Sequence, residues 1–304
     1  MSSGTGGSNA STGTAGPGYR LGANQYGKAQ TRLVHVSRTG DTHILRDLTV
    51  SVALRGDLAG THLSGDNSAV LPTDTQRNTV YAFARRHGVG PLEDFGLRLA
   101  RHFVDSQPAI HAARVTLAED GWSRLGPHSF ARAGDGTRTA VLCYDGSRAW
   151  AVAGVSGLVL LNSTGSEFHG FVRDEYTTLP ESRDRVLATE VTAAWRYDSD
   201  APERLDWDGG YATASAALVE SFVDTYSLSL QQTLYTMGAR VLERCPHAVE
   251  VRLALPNRHH VLADLAPFGL DNPGEVFVAL DRPYGLIEGT VLRDGAPEPG
   301  LAWW

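Results

Sequence analysis

The chain carries two cysteines in 304 residues, Cys143 and Cys245, far apart in the sequence. Neither a dithiol redox pair nor a thiolate metal cluster can be read from such a pair. The longest nearly apolar run, Ala149 to Leu161, is interrupted by Gly154, Ser156 and Gly157 and falls short of the ~20 residues a bilayer-spanning helix needs, so no membrane partner is expected. Charge is also sparse. With 20% charged residues, and 27 Lys plus Arg against 34 Asp plus Glu for a net charge of -7, the composition argues against a nucleic-acid partner or an anionic lipid surface. An anionic ligand must therefore meet a local positive pocket. No Gly-rich phosphate loop, nucleophile elbow or dinucleotide fingerprint is present, and no Cys pair or His-x-x-x-His spacing offers a metal site. Chemistry without a recognisable cofactor is therefore open to this chain.

What the chain does hold is 42% hydrophobic residues, enough for a real core, in a length that suits two ordinary domains or one large one. The first twenty residues contain six Gly, four Ser and three Thr without a basic start or an apolar stretch. They read as a flexible tail over 1–21, not as a secretory signal. The final Leu301-Ala302-Trp303-Trp304 is no peroxisomal address, and a cytoplasmic location is expected.

Between the tails, alternation at Leu48, Val50, Val52 and Leu54, preceded by Leu33 to Val36, predicts a two-strand ladder with one buried face. Thr73, Asp74 and Thr75 offer N-cap oxygens to a helix carrying Val80, Phe83, Ala84 and His87 and closed by Gly88. A second helix carries Phe95, Leu99 and Phe103, and Pro108 ends it before a strand from Ile110 to Leu117. Arg138 to Tyr144 follows as a strand after a Gly134-Asp135-Gly136 turn, and Asp145-Gly146 turns the chain into Trp150 to Leu161. The pattern then restarts: a strand at Val186 to Trp195, helices through Leu218 and Phe222 and through Leu230 to Val241, and strands at Val249 to Leu255, Val276 to Leu280 and Leu286 to Val291. Strand, strand, helix, helix, strand, strand thus occurs twice. Thr79-Val80-Tyr81 recurs as Thr233-Leu234-Tyr235, a weak further sign of duplication. The reading is α+β, with tandem repeats over 22–147 and 148–295, each an antiparallel sheet with helices on one face, and a short tail over 296–304.

Several residues can carry chemistry, and each has a plainer role beside the functional one. Lys28, after Tyr26-Gly27, can point an ammonium into a cleft or simply be a solvated lysine. Thr73 and Asp74 at a helix start can present backbone N–H groups to an anion, or act as caps. Arg185 ends a charge-dense run and can hold two acceptors on one edge of a ligand, or join a surface ion-pair network. Phe168 can stack on a flat substrate or anchor a loop. Gln231, beside Leu230, would ordinarily be an exposed polar residue of a helix. Asn257 and His259, two apart after a strand, can project into one space and move a proton there; with His260 and Asp264 a metal site is the competing reading.

Together these segments resemble urate oxidase (uricase). The resemblance becomes specific over Asp66-Asn67-Ser68-Ala69-Val70-Leu71-Pro72-Thr73-Asp74-Thr75-Gln76-Arg77-Asn78-Thr79-Val80-Tyr81. Its other carriers are Tyr26-Gly27-Lys28, Ser163 to Phe168 with Arg173-Asp174-Glu175-Tyr176-Thr177-Thr178-Leu179 and Asp184-Arg185, Leu230-Gln231, and Leu255-Pro256-Asn257-Arg258-His259. The match spans roughly residues 22 to 295. Departures are the Gly/Ser/Thr tail, the missing peroxisomal ending, and Leu230 where the family more often has Val.

The resemblance implies the tunnelling fold, two ββααββ-type repeats per chain, with a homotetramer closing the sheets into barrels and active sites at subunit interfaces. It implies cofactor-free conversion of urate, O2 and water to 5-hydroxyisourate and hydrogen peroxide. Arg185 and Gln231 would grip the heterocycle's edge, Phe168 would stack on its face, and backbone N–H groups of Asp74 and Leu230 would complete the polar rim. Lys28 and Thr73, from the neighbouring subunit, would form a proton relay with His259, and Asn257 would hold O2 or water above the ring. Lys28 suits a base role only where desolvation or cationic neighbours favour its neutral form. Another tunnelling-fold enzyme of purines or pterins, and a non-catalytic purine-binding homologue, are the alternatives; the relay of Lys28, Thr73 and His259 is what mere binding would not need.

Overall fold

Apolar side chains at every second position build one long antiparallel sheet in the computed structural model, which describes residues 18–304 apart from Thr39, residues 199–201 and Asp281. Most of the expected N-terminal tail, residues 1–17, lies outside the described residues. β1 (Tyr26–Ser37) and β2 (Ile44–Gly56) form the expected ladder, each longer than its alternating stretch. A six-residue α1 (Ala59–Ser64) follows that the sequence pattern does not announce, because it buries no side chain and so has no apolar stripe. α2 (Thr73–His87) begins as expected, but Pro72 occupies the cap position and no side chain caps it. Thr73, Asp74 and Thr75 therefore lie inside the first turn, with their own N–H groups as its unsatisfied donors.

α3 (Leu92–Asp105) packs close against the strands that follow it, β3 (Ile110–Arg124) and β4 (Phe130–Tyr144): a Cβ on Gly96 would lie 2.6 Å from Leu117 Cδ1. The expected turn at Gly134-Asp135-Gly136 is instead an irregularity inside β4. Asp120 pairs with Thr137 and Trp122 with Arg132, so the hairpin absorbs the glycines and continues beyond them.

The second half runs β5 (Ala149–Asn162), β6 (Leu187–Tyr197), α4 (Trp207–Asp224), α5 (Leu230–Arg244) and β7 (Ala248–Ala254). The expected strand at Val276 to Leu280 exists as β9 (Phe277–Ala279), but it pairs with β8 (His260–Leu262) in a separate two-stranded sheet. The place beside β7 goes to β10 (Glu288–Leu292), giving the sheet order β1-β2-β3-β4-β5-β6-β7-β10. The tripeptide echo does not mark the repeat. Thr79 to Tyr81 lies on α2, the first long helix of its half, and Thr233 to Tyr235 on α5, the second of its own.

One face of the sheet carries the core. Leu48, Val50, Val52, Leu54, Val115, Leu117 and Leu142 pack with Phe95, Leu99 and Phe103, and Trp195, Val251 and Leu253 with Leu218, Phe222, Met237 and Val241. Full burial of each such side chain is worth about 1.5–3 kcal/mol. Arg138 on β4 joins the halves by reaching Glu93 of α3 at 2.7 Å and Asp208 of α4 at 2.6 Å. No helix among the described residues is long and apolar enough to cross a membrane.

Candidate active site

A short run of extended backbone, Ser166 to Phe168, is clasped on both sides. Ser166 bridges Ser227 in parallel, Phe168 exchanges two hydrogen bonds with Ser182, and the Arg185 N–H donates to the Ser166 carbonyl at 2.9 Å. These bonds bring the start of β6 and the start of α5 to the same place. The Arg185 guanidinium lies 5.4 Å from the centre of the Phe168 ring, and its Nε donates to Ser166 Oγ at 3.2 Å. Phe168 in turn stacks on Phe171 at 5.0 Å with an interplanar angle of 15°, which fixes its plane. Among the described residues Arg185 has no ion-pair partner, and burial lowers its pKa from the ordinary guanidinium value. A partly desolvated cation held beside a ring face without a counter-ion is a receptor for a flat anion.

α5 supplies donors to the same place. Ser229 caps it by accepting from the Gln232 N–H at 3.2 Å, and the Gln232 side chain accepts from the Leu228 N–H at 2.9 Å, a local relative of the capping box. Leu230 is thereby fixed as the first helical residue, its side chain buried and its N–H among the donors of the first turn, while Gln231 is exposed beside it.

Asn257 and His259 belong to a strand-like connection alongside β6. Asn257 bridges both Thr189 and Gly285, its N–H donates to the Gly285 carbonyl at 2.9 Å, and the Arg258 N–H donates to Ala188 at 2.8 Å. The chain thus stays extended, as the two-residue spacing requires for Asn257 and His259 to share a side. No group of three or more His, Cys, Asp or Glu suited to a metal occurs among the described residues.

Lys28 and Thr73 form a second group. Gly27 crosses β2 so closely that a Cβ there would overlap the Val52 carbonyl oxygen. After Lys28 the ladder slips: Lys28 pairs with Val52 but Thr31 with Val50, and Gln30 takes the left-handed φ of +54°. Such a bulge re-aims the side chains beside it. Tyr26 connects this strand to the helix start, because its phenol oxygen accepts from the Leu71 N–H at 3.0 Å, two residues before Thr73. Asp74 turns its carboxylate onto its own helix, toward Arg77 at 2.6 Å and Asn78 at 3.2 Å, while its backbone N–H is one of the unsatisfied donors of the first turn.

The two groups do not meet within one chain. β1 is an edge strand and β6 lies five strands away, about 24 Å along the sheet at the usual ~4.8 Å spacing. One signal in the sequence singles out Lys28 without any motif: of 27 Lys plus Arg it is the single lysine. The roles of Ser166, Ser182, Ser227 and Tyr26 carry no such signal, since each acts through a contact distant in sequence.

The family model described as Uricase matches residues 24–142 and 151–288. A uricase of Arthrobacter globiformis is 50% identical over 285 residues, covering 93% of both chains, and a uricase of Dictyostelium discoideum is 34% identical over 279 residues, covering 89% of this chain and 96% of the other. A crystal structure of the uricase from Arthrobacter globiformis superposes with a TM-score of 0.90 at 49% identity, covering 94% of this chain and 99% of that one.

Proposed function

The chain belongs to the uricase family, and from that premise we propose that it oxidises urate with O2 and water to 5-hydroxyisourate and hydrogen peroxide, without a resident cofactor or metal, in a homotetramer whose active sites are shared between subunits. The observation that carries the reading is Arg185 poised over Phe168 at the N-terminus of α5. A planar, electron-rich anion offers what that site lacks: negative charge for the guanidinium, a ring face for Phe168, and acceptors for Arg185, Gln231 and the Leu230 N–H.

Urate itself supplies the electrons. A second deprotonation turns it into a reductant able to pass two electrons to O2, and water adds at the oxidised ring carbon, so the atoms of urate, O2 and H2O are recovered in 5-hydroxyisourate and H2O2. Lys28, Thr73 and His259 would form the relay that carries the proton, and Asn257 would hold O2 or the attacking water over the ring. Asp74 would close the rim with its backbone N–H. A neighbouring copy bringing Lys28, Thr73 and Asp74 to Arg185 would complete the site, which supports assembly through the open sheet's edges. Two buried free thiols, Cys143 and Cys245, suit a reducing cytoplasm.

The test is direct. Chelator-treated protein with no added flavin should remove urate absorbance while consuming O2 and releasing H2O2 in equal amounts. A requirement for stoichiometric copper, iron or flavin would overturn the cofactor-free reaction.

A further inference from the structure

Across the face of the sheet opposite the helices lies the segment 297–304, and its contacts run from β7 back to β2. The Arg196 guanidinium donates to the Pro297 carbonyl at 2.8 Å. Gly300 lies flat on Trp150, where a Cβ would be 2.5 Å from the indole nitrogen. Arg252 stacks on Trp303 at 3.9 Å from the ring centre. The path ends on Trp304, whose ring has Arg55 over it at 3.8 Å and Arg114 at 5.3 Å, and whose carbonyl accepts from Arg114. The indole N–H of Trp304 donates to Gln25 Oε1 at 2.7 Å.

Gln25 immediately precedes the first paired residue of β1, where Tyr26 faces Leu54. From there only Tyr26, Gly27 and Lys28 are in register before the bulge, and β1 has a neighbour on one side only. Such a strand end frays unless it is tied. Successive side chains of a strand face opposite sides, so the Tyr26 to Leu71 bond holds it from the helix side and the Gln25 to Trp304 bond from the other, two and three residues before Lys28.

We propose that Trp304 is a positioning residue for Lys28, acting through Gln25. The proposal rests on the reading of Lys28 as part of the proton relay. A proton-transfer group loses rate steeply when its placement loosens, whereas substrate grip by Arg185, on a different part of the chain, is untouched.

The experiment uses the intact chain. Trp304→Phe keeps an aromatic ring under Arg55 and removes the N–H; Gln25→Ala changes an exposed side chain and removes the acceptor. Each should lower kcat roughly tenfold, within the loss expected of a displaced catalytic group, with KM for urate and affinity for a non-reacting purine unchanged. The double variant should be no slower than either single one, because both cut the same bond. Since Lys28 is the single lysine, reductive methylation reports on it directly, and its rate at position 28 should rise in both variants while thermal unfolding stays near wild type. Wild-type kcat in Gln25→Ala, a loss confined to KM, or multiplicative losses in the double variant would each overturn the proposal. Lys28→Ala run in parallel separates the two readings: if it turns over urate at the wild-type rate, the relay assignment has failed; if it is inactive while Gln25→Ala and Trp304→Phe are normal, the positioning role alone has failed.

Discussion

Arg185 concentrates the energetic logic of the site in one side chain. Burial makes its charge costly, no carboxylate among the described residues offsets it, and an anion placed over Phe168 relieves that cost. Arg185→Ala should therefore weaken binding of a non-reacting purine analogue by about 2–5 kcal/mol, measured by calorimetry; equal affinity would remove Arg185 from the substrate edge. Asn257, tied by its backbone to Gly285 and β6, is expected to act after binding. Asn257→Leu should bind the analogue nearly normally and oxidise urate far more slowly, a loss in kcat and not in affinity. His259→Ala should be milder, a partial loss in kcat with analogue affinity kept, since water can stand in for a relay group. Tyr26→Phe leaves the Leu71 N–H without its acceptor, at a cost of about 1–3 kcal/mol in stability by denaturant titration. No change in the unfolding midpoint would show that this bond contributes nothing.

At the scale of elements, turns and bulges decide where these side chains go. The β4 to β5 turn is held by Asp145, which accepts from the Ser147 and Arg148 N–H groups at 2.9 and 2.8 Å. Burial opposes ionisation of this carboxyl, but those bonds and the Ser147 hydroxyl outweigh it and hold its pKa below the usual value. Because the folded value lies below the unfolded one, near ~3.9, the contribution is present above that pH and lost as the pH falls through the folded value. Asp145→Ala should cost about 1 kcal/mol at pH 7 and progressively less below pH ~4. A difference that stays constant down to pH 2 would contradict the assignment.

The same scale separates what the sequence discloses from what it hides. Alternation at Leu48 to Leu54 and four-residue spacing at Phe95, Leu99 and Phe103 locate β2 and α3, because burial of one face writes itself into local periodicity. Nothing local writes the slip after Lys28, the glycines absorbed within β4, or the detour through β8 and β9, since pairing with distant strands sets all three. The site divides likewise. Arg185, Phe168, Leu230, Gln231 and Asn257 are named by their resemblance to a family pattern, whereas the serines that join Phe168 and Arg185 to the start of α5, and the tie between Gln25 and Trp304, appear only in three dimensions.

For the whole molecule, the open sheet leaves β1 and β10 as edges, and large apolar side chains stay exposed near the site and in the β8 to β9 region: Val172 at 94%, Tyr176 at 81%, Phe268 at 73% and Leu286 at 65%. Exposed apolar surface of this kind fits the proposed assembly, in which a second copy would bring Lys28 and Thr73 to Arg185. With a net charge of -7 per chain, such an assembly would have to be held by local patches and apolar contacts. Complementation tests shared sites most directly. Lys28→Ala and Arg185→Ala, each inactive alone, are mixed in equal amounts under conditions that exchange subunits, and urate oxidation is followed. A site built from Lys28 of one chain and Arg185 of another should recover about a quarter of wild-type activity by random pairing; a mixture as inactive as its components, with exchange verified, would place both residues of each site in a single chain.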